Sequence, residues 1–324
     1  MSKHTAIVLL NLGGPDSLES VEPFLFNLFS DPDIFRLPLG FIFQKPFARL
    51  ISRRRAPEAQ EGYAAIGGRS PILKYTEEQA RALQHAIADD GDFSVHICMR
   101  YWHPMADEVV TRLKQQGVER VLLLPLYPQY SHTTTGSSFN DFQRACDRAH
   151  YRPEILRINE WYQQPGYHRA IADAIRKAGH DLPDPNPNNI ELLFSAHGLP
   201  KKLVEKGDPY QSHIEQTYAA VSQLLGWPHH TLCYQSRVGP LEWLKPYTEN
   251  VIRDRAKAGC KQMLVYPIAF VSDHVETLFE LGITYRDLAA EQGITTYRVV
   301  PALNDDPALI NVLADLVRTA TTHE

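Results

Sequence analysis

The run Met263-Leu264-Val265-Tyr266-Pro267-Ile268-Ala269-Phe270 is followed at once by Ser272-Asp273-His274-Val275-Glu276-Thr277-Leu278-Phe279-Glu280. The first stretch reads as a buried strand and the second as a helix leaving its carboxyl end. On an α-helix Asp273, Glu276 and Glu280 stand at i, i+3 and i+7 and share one face. That face is aimed at the crevice beyond the strand end, where open α/β sheets bind ligands. Grouped carboxylates there can take protons or hold a cation.

Working outward, Ile190-Glu191-Leu192-Leu193-Phe194 ends the same way and delivers Ser195-Ala196-His197-Gly198 as the chain leaves the sheet. Further short apolar runs span residues 6–12, 93–99, 121–126, 231–234 and 296–300, each separated by helix-like sequence. This alternation predicts an α/β fold built of βαβ units, with parallel sheets covered by helices on both faces. A faint echo relates residues 117–132 to 259–274: a turn glycine, a strand with an internal proline, then Ser and His. Likewise the strand from Phe93 leads to Arg100-Tyr101, and the strand near Cys233 leads to Gln235-Ser236-Arg237. Two similar halves explain this, although any two βα units can share such punctuation. The expected domains are 1–155 and 156–324, the second ending in an amphipathic helix from Pro307 that packs back on the first.

The length of 324 residues suits about two domains. A net charge of -5 argues against a nucleic-acid partner, which calls for a basic stripe. No secretory signal pattern and no apolar run of membrane-spanning length appear, so a cytoplasmic protein is expected, at most peripheral to a membrane. Cys98, Cys146, Cys233 and Cys260 are widely spaced, which suggests neither a zinc ribbon nor a disulfide framework. No residue pattern specifies an oligomeric state.

His197, flanked by small residues, suits proton acceptance; the plainer alternative is a buried histidine tied to a backbone carbonyl. The carboxylate stretch has its own plain alternative, a charged surface. His274 and Glu276 lack the spacing of a preformed zinc site, and Gly13-Gly14-Pro15 fits neither nucleotide-loop pattern. From Ile34 to Pro57 there is no acidic residue, while Arg36, Lys45, Arg49, Arg53, Arg54 and Arg55 interleave with apolar side chains. Such a segment lies on an anionic membrane, forms the lip of a pocket for an apolar acidic ligand, or is a pair of helices with a basic outer face. Trp243 offers a stacking surface or ordinary core packing.

Taken together the chain resembles the ferrochelatases, which insert ferrous iron into a porphyrin late in haem synthesis. The resemblance rests on Asn11-Leu12-Gly13-Gly14-Pro15, Arg54-Arg55-Ala56-Pro57, Ile66-Gly67-Gly68-Arg69-Ser70-Pro71-Ile72, Arg100-Tyr101 and Tyr127-Pro128-Gln129-Tyr130-Ser131. It continues through Thr134-Thr135-Gly136-Ser137-Ser138, Ser195-Ala196-His197, Gly207-Asp208-Pro209-Tyr210, Gln235-Ser236-Arg237-Val238-Gly239-Pro240 and Ser272-Asp273-His274-Val275-Glu276-Thr277. It implies two Rossmann-like, chelatase-like halves with an active-site cleft between them. It implies His197 and Glu276 as the catalytic pair, with Asp273, His274 and Glu280 joining them around the metal. Arg100, Tyr101, Tyr127, Trp243 and Phe270 are implied to line the macrocycle pocket, and Arg55 and Ser236 to lie near the propionates. Leu12 stands where family members differ in the residue facing the metal, and no axial ligand is expected from it.

Three departures bear on these implications. Animal relatives hold a 2Fe-2S cluster through one cysteine after the Tyr-Ser step and three in a C-terminal extension; here the first position is His132 and the sequence stops at Glu324. No cluster and no tightly bound cofactor are expected, Fe²⁺ being a substrate. Glu58 replaces a lysine of the animal enzymes, and Gly282 and Thr284 replace acidic residues. The expected activity is insertion of iron into protoporphyrin IX. The alternatives are a non-catalytic tetrapyrrole carrier, or a chelatase for coproporphyrin III or another metal.

Overall fold

The computed structural model describes residues 4–34 and 40–322. It divides into two compact units, Met1–Glu160 with Ile310–Glu324, and Trp161–Leu309. Of the basic and apolar segment, Phe35, Arg36, Leu37, Leu39 and the Phe41 side chain lie outside the described residues.

The first unit carries strands β1 (Thr5–Asn11), β2 (Phe93–Met99), β3 (Arg120–Pro125) and β4 (Glu154–Arg157) in the parallel order β2-β1-β3-β4. Its helices are α1 (Val21–Phe29), α2 (Gly40–Ala65), α3 (Ile72–Ala86), α4 (Ala106–Gln115) and α5 (Ser137–Arg148). β1 and β3 are buried along their whole length, as their unbroken apolar runs require of central strands in a covered parallel sheet. In the second unit β5 (Glu191–His197), β6 (His230–Gln235), β7 (Gln262–Tyr266) and β8 (Thr296–Val299) repeat the pattern as β6-β5-β7-β8. Around them run α6 (Pro165–His180), α7 (Lys201–Glu205), α8 (Tyr210–Leu225), α9 (Thr248–Lys257) and α10 (Tyr285–Glu291). The last helix, α11 (Pro307–Thr322), places Arg318 against Asp90 at 2.8 Å and the Ala86 carbonyl at 3.0 Å, both in the first unit.

The echo in sequence falls on topologically equivalent strands: β3 with β7, and β2 with β6. It extends to a rarer feature, for π-helical segments follow both third strands, His132–Gly136 before α5 and Glu276–Thr284 before α10. A π-helix is uncommon and recurs at functional sites.

Three sequence expectations change. β4 was not anticipated; four residues at a sheet edge, exposed at both ends, give little periodic signal. β7 ends at Tyr266 rather than Phe270, because Pro267 has no N–H to continue the ladder. Residues 40–65 form one 26-residue helix that contains Pro46 and Pro57, not a pair of helices.

Candidate active site in the second unit

In an order of β6-β5-β7-β8 the chain winds in opposite directions from β5 and β7, so the carboxyl ends of those two strands flank the topological switch point. His197 is the last residue of β5, and the π-helix after β7 begins with Glu276. His197 Nδ1 lies 2.5 Å from the Gly198 carbonyl oxygen, which can only accept. That bond makes Nδ1 a donor and leaves Nε2 facing outward. Nε2 stands 3.6 Å from Glu276 Oε1. The ring is tied to a carbonyl, yet it is not buried: 37% of its side chain stays exposed.

Trp243 and Phe270 flank that imidazole, with ring centroids 6.3 and 6.5 Å from it. Tyr210 donates its hydroxyl to the His197 carbonyl at 2.9 Å. Gly198 is required by space, since a Cβ there would meet the Gln235 carbonyl oxygen at 2.9 Å and Trp243 Cε3 at 3.1 Å.

Glu276 Oε2 faces Nε2 of buried His274 at 3.7 Å, and has no hydrogen-bond partner among the described residues. Burial works against the charged form of Glu276, but the imidazoles of His197 and His274 outweigh it and hold the carboxyl at about 2. Burial likewise opposes a charged His274, while Glu276 draws its pKa above the ordinary value. At neutral pH Glu276 is therefore an anion between two imidazoles.

The expected face of three carboxylates resolves into two roles. Glu276 and Glu280 stay together, as four-residue spacing allows within a π-helix. Glu280 accepts from Ser236 N at 2.9 Å, Ser236 Oγ at 2.5 Å, Gln235 Nε2 at 3.1 Å and Tyr285 OH at 3.1 Å. Burial, and then the charge of Glu276, raise its pKa. Asp273 precedes the π-helix and is buried; Thr277 Oγ1 at 2.8 Å and Asn304 Nδ2 at 2.9 Å occupy its carboxylate. Asp273 thus fastens the start of the π-helix to the segment after β8.

The ferrochelatase family model matches residues 4–321. The chain belongs to the ferrochelatase family. It is 50% identical over 319 residues to the ferrochelatase of Trichodesmium erythraeum (strain IMS101), covering 97% of this chain and 82% of the relative. To that of Gloeobacter violaceus (strain ATCC 29082 / PCC 7421) it is 48% identical over 316 residues, 96% of each chain. Among solved structures, SirB from Bacillus subtilis with Fe3+ superposes with a TM-score of 0.58 at 11% identity, covering 98% of this chain and 96% of that one. The cobalt complex of the sirohydrochlorin chelatase SirB from Bacillus subtilis subspecies spizizenii gives 0.56 at 10% identity, covering 98% and 95%. These likenesses establish the fold alone; the activity follows from the family. This ferrochelatase inserts ferrous iron into a porphyrin for haem synthesis.

The remaining expected site residues of this ferrochelatase lie in the first unit. Leu12 follows β1, and its carbonyl accepts from Tyr101 N at 2.9 Å. Arg100 and Tyr101 follow β2, with the Arg100 guanidinium 4.8 Å from the Tyr101 ring centroid. Half-buried Tyr127 follows β3, and burial raises its hydroxyl pKa. Arg55 sits half-buried on α2. Four further residues shape the site without having been assigned roles in it from sequence: Tyr210 and Gln235 stood within family motifs, whereas Tyr285 and Asn304 carried no local signal.

Proposed function

We propose that His197 Nε2 accepts the two pyrrole protons of the porphyrin in turn, passing each to solvent at its exposed edge, while Glu276, with His274 behind it, supplies the negative charge that eases Fe²⁺ out of its water shell. The observation that carries this division is geometric: His197 Nδ1 is tied to the Gly198 carbonyl, which turns Nε2 outward to within 3.6 Å of Glu276 Oε1. The Glu276 carboxyl, held at about 2, is too weak a base to take a proton at neutral pH. Imidazole and carboxylate oxygen both suit Fe²⁺, so the ion can pass from Glu276 toward the ring nitrogens within reach of His274. Trp243 and Phe270 supply apolar walls that favour a flat macrocycle and exclude water from the exchange. Leu12, Arg100, Tyr101 and Tyr127 are read as ring contacts and Arg55 as a propionate contact, whereas both donors of Ser236 already serve Glu280.

The ring is protoporphyrin IX and the location cytoplasmic, at a membrane surface. Support comes from α2, where Ile42, Phe43 and Leu50 are 53%, 52% and 67% exposed beside Lys45, Arg49 and Arg53. No helix among the described residues is long and apolar enough to cross a membrane. The protein works without an iron-sulfur cluster: His132 occupies the cysteine position of the animal relatives.

Anaerobic incubation with Fe²⁺ and either protoporphyrin IX or coproporphyrin III, followed by metalloporphyrin absorbance, tests the reading. Multiple turnovers with protoporphyrin that vanish in Glu276→Gln are expected. Faster turnover of coproporphyrin would overturn the choice of ring. Porphyrin binding without turnover in the wild type would overturn the assigned roles.

A further inference from the structure

Arg100 and Tyr101 leave β2 side by side, and a residue distant in sequence holds both. Asp31, just beyond α1, has a side chain with 0% exposure. Its Oδ2 accepts from Tyr101 OH at 2.6 Å, Ser137 Oγ at 2.5 Å and Arg100 Nη2 at 2.9 Å. Its Oδ1 takes the Asp33 N–H at 2.9 Å. Arg100 in turn donates Nε to Ser137 Oγ at 2.7 Å and points Nη1 at Asp141, 3.3 Å away. A carboxylate so far from water persists only when paired and hydrogen-bonded, and both oxygens here are satisfied.

We propose that Asp31 is a positioning residue for porphyrin binding: it locks the Arg100 guanidinium and the Tyr101 ring into one rigid block, and Arg100 acts on the substrate only while so held. The inference rests on reading Arg100 as a ring contact. Each guanidinium nitrogen already has an acceptor, but both terminal nitrogens keep a second N–H, so a fixed planar donor remains. The block is not a free cation. Arg100 and Arg144 face three carboxylates, Asp31, Asp33 and Asp141. Arg100 therefore contributes shape and direction rather than net attraction for an acid group. Asp33 repeats the fastening one step along, accepting from Asn140 at 3.2 Å and Arg144 at 3.0 Å on α5. Both aspartates thereby tie the chain that precedes α2 to the helix following the first unit's π-turn.

The test is a double-mutant cycle in the full chain with Asp31→Asn, Arg100→Gln and the double variant, reading kcat and porphyrin KM separately beside the melting temperature. Each single change is expected to lower kcat/KM by about tenfold or more. The double variant should be no worse than Arg100→Gln alone, because Asp31 has nothing left to position. Losses that multiply, or a wild-type kcat/KM in Asp31→Asn with only the melting temperature lowered, would overturn the proposal while leaving the ring-contact reading intact. A wild-type kcat/KM in Arg100→Gln would instead remove that reading and the inference with it. Ser137→Ala, which takes one partner from each of Asp31 and Arg100, covers the case in which Asp31→Asn does not fold. It should raise KM, and an unchanged KM would count against the positioning role.

Discussion

His197 Nε2 and Glu276 Oε1 face each other at 3.6 Å, one from the end of β5 and the other from the start of the π-helix after β7. The separation is too long for a committed hydrogen bond, so Nε2 stays available to a substrate. Replacing His197 with alanine should lower kcat by on the order of 10²- to 10⁴-fold, the usual worth of a positioned proton acceptor, with porphyrin binding nearly unchanged. Fluorescence titration with porphyrin beside the turnover assay separates the two effects. A fall in affinity that accounts for the whole loss would contradict the proton-acceptor role.

The depressed carboxyl of Glu276 carries a stability signature. Its folded pKa of about 2 lies below the ordinary 4.5, so its contribution is present above pH 4.5 and is lost as pH falls toward 2. The shift corresponds to roughly 3 kcal/mol at most. Urea unfolding of wild type and Glu276→Gln should therefore differ fully above pH 4.5, differ by less than half as much near pH 3, and converge only as the pH approaches 2. A difference independent of pH would mean that packing, not charge, sets the contribution of Glu276.

The α/β class was legible because each central strand is an unbroken apolar run, and the site because two such runs end in His197 and in the acidic segment. What stayed hidden depends on partners distant in sequence or on unusual backbone. α-Helical spacing put Asp273 on the same face as Glu276, but the helix is π and Asp273 bonds Asn304, 31 residues on. Ser236 shows the same limit. Near the propionates it reads as an anion donor, whereas its N–H and hydroxyl both serve Glu280. Long-range pairings of this kind leave no periodicity to read.

Gly198 tests how closely the site is built. A methyl group there meets a carbonyl and an indole at 2.9 and 3.1 Å, and neither can retreat without moving β6 or Trp243. Gly198→Ala should fold, because only the strand end is disturbed, yet displace His197 enough to lower kcat by about 10²-fold. Circular dichroism with steady-state kinetics checks both halves of the expectation.

The exposed face of α2 predicts a charge-dependent membrane contact. Changing Ile42, Phe43 and Leu50 to serine removes apolar area from solvent-exposed positions and should leave the melting temperature unchanged. Sedimentation with phosphatidylserine vesicles should fall, and high salt should weaken what binding remains. Equal sedimentation of variant and wild type would place any membrane contact elsewhere.

Ser236 carries two opposing contributions that substitutions can separate. It holds φ at 62°, a left-handed conformation that is strained for any residue with a Cβ, while its hydroxyl donates to Glu280 at 2.5 Å. Alanine keeps the strain and loses the bond to a charged acceptor, at a cost of about 1.5–3 kcal/mol. Glycine loses the same bond but relaxes the backbone by about 1 kcal/mol. Stability should fall in the order Ser, Gly, Ala, the reverse of the usual preference for alanine over glycine. Denaturant midpoints for the three proteins measure it. An alanine variant more stable than the glycine one would show that the strain at Ser236 is not what sets its stability.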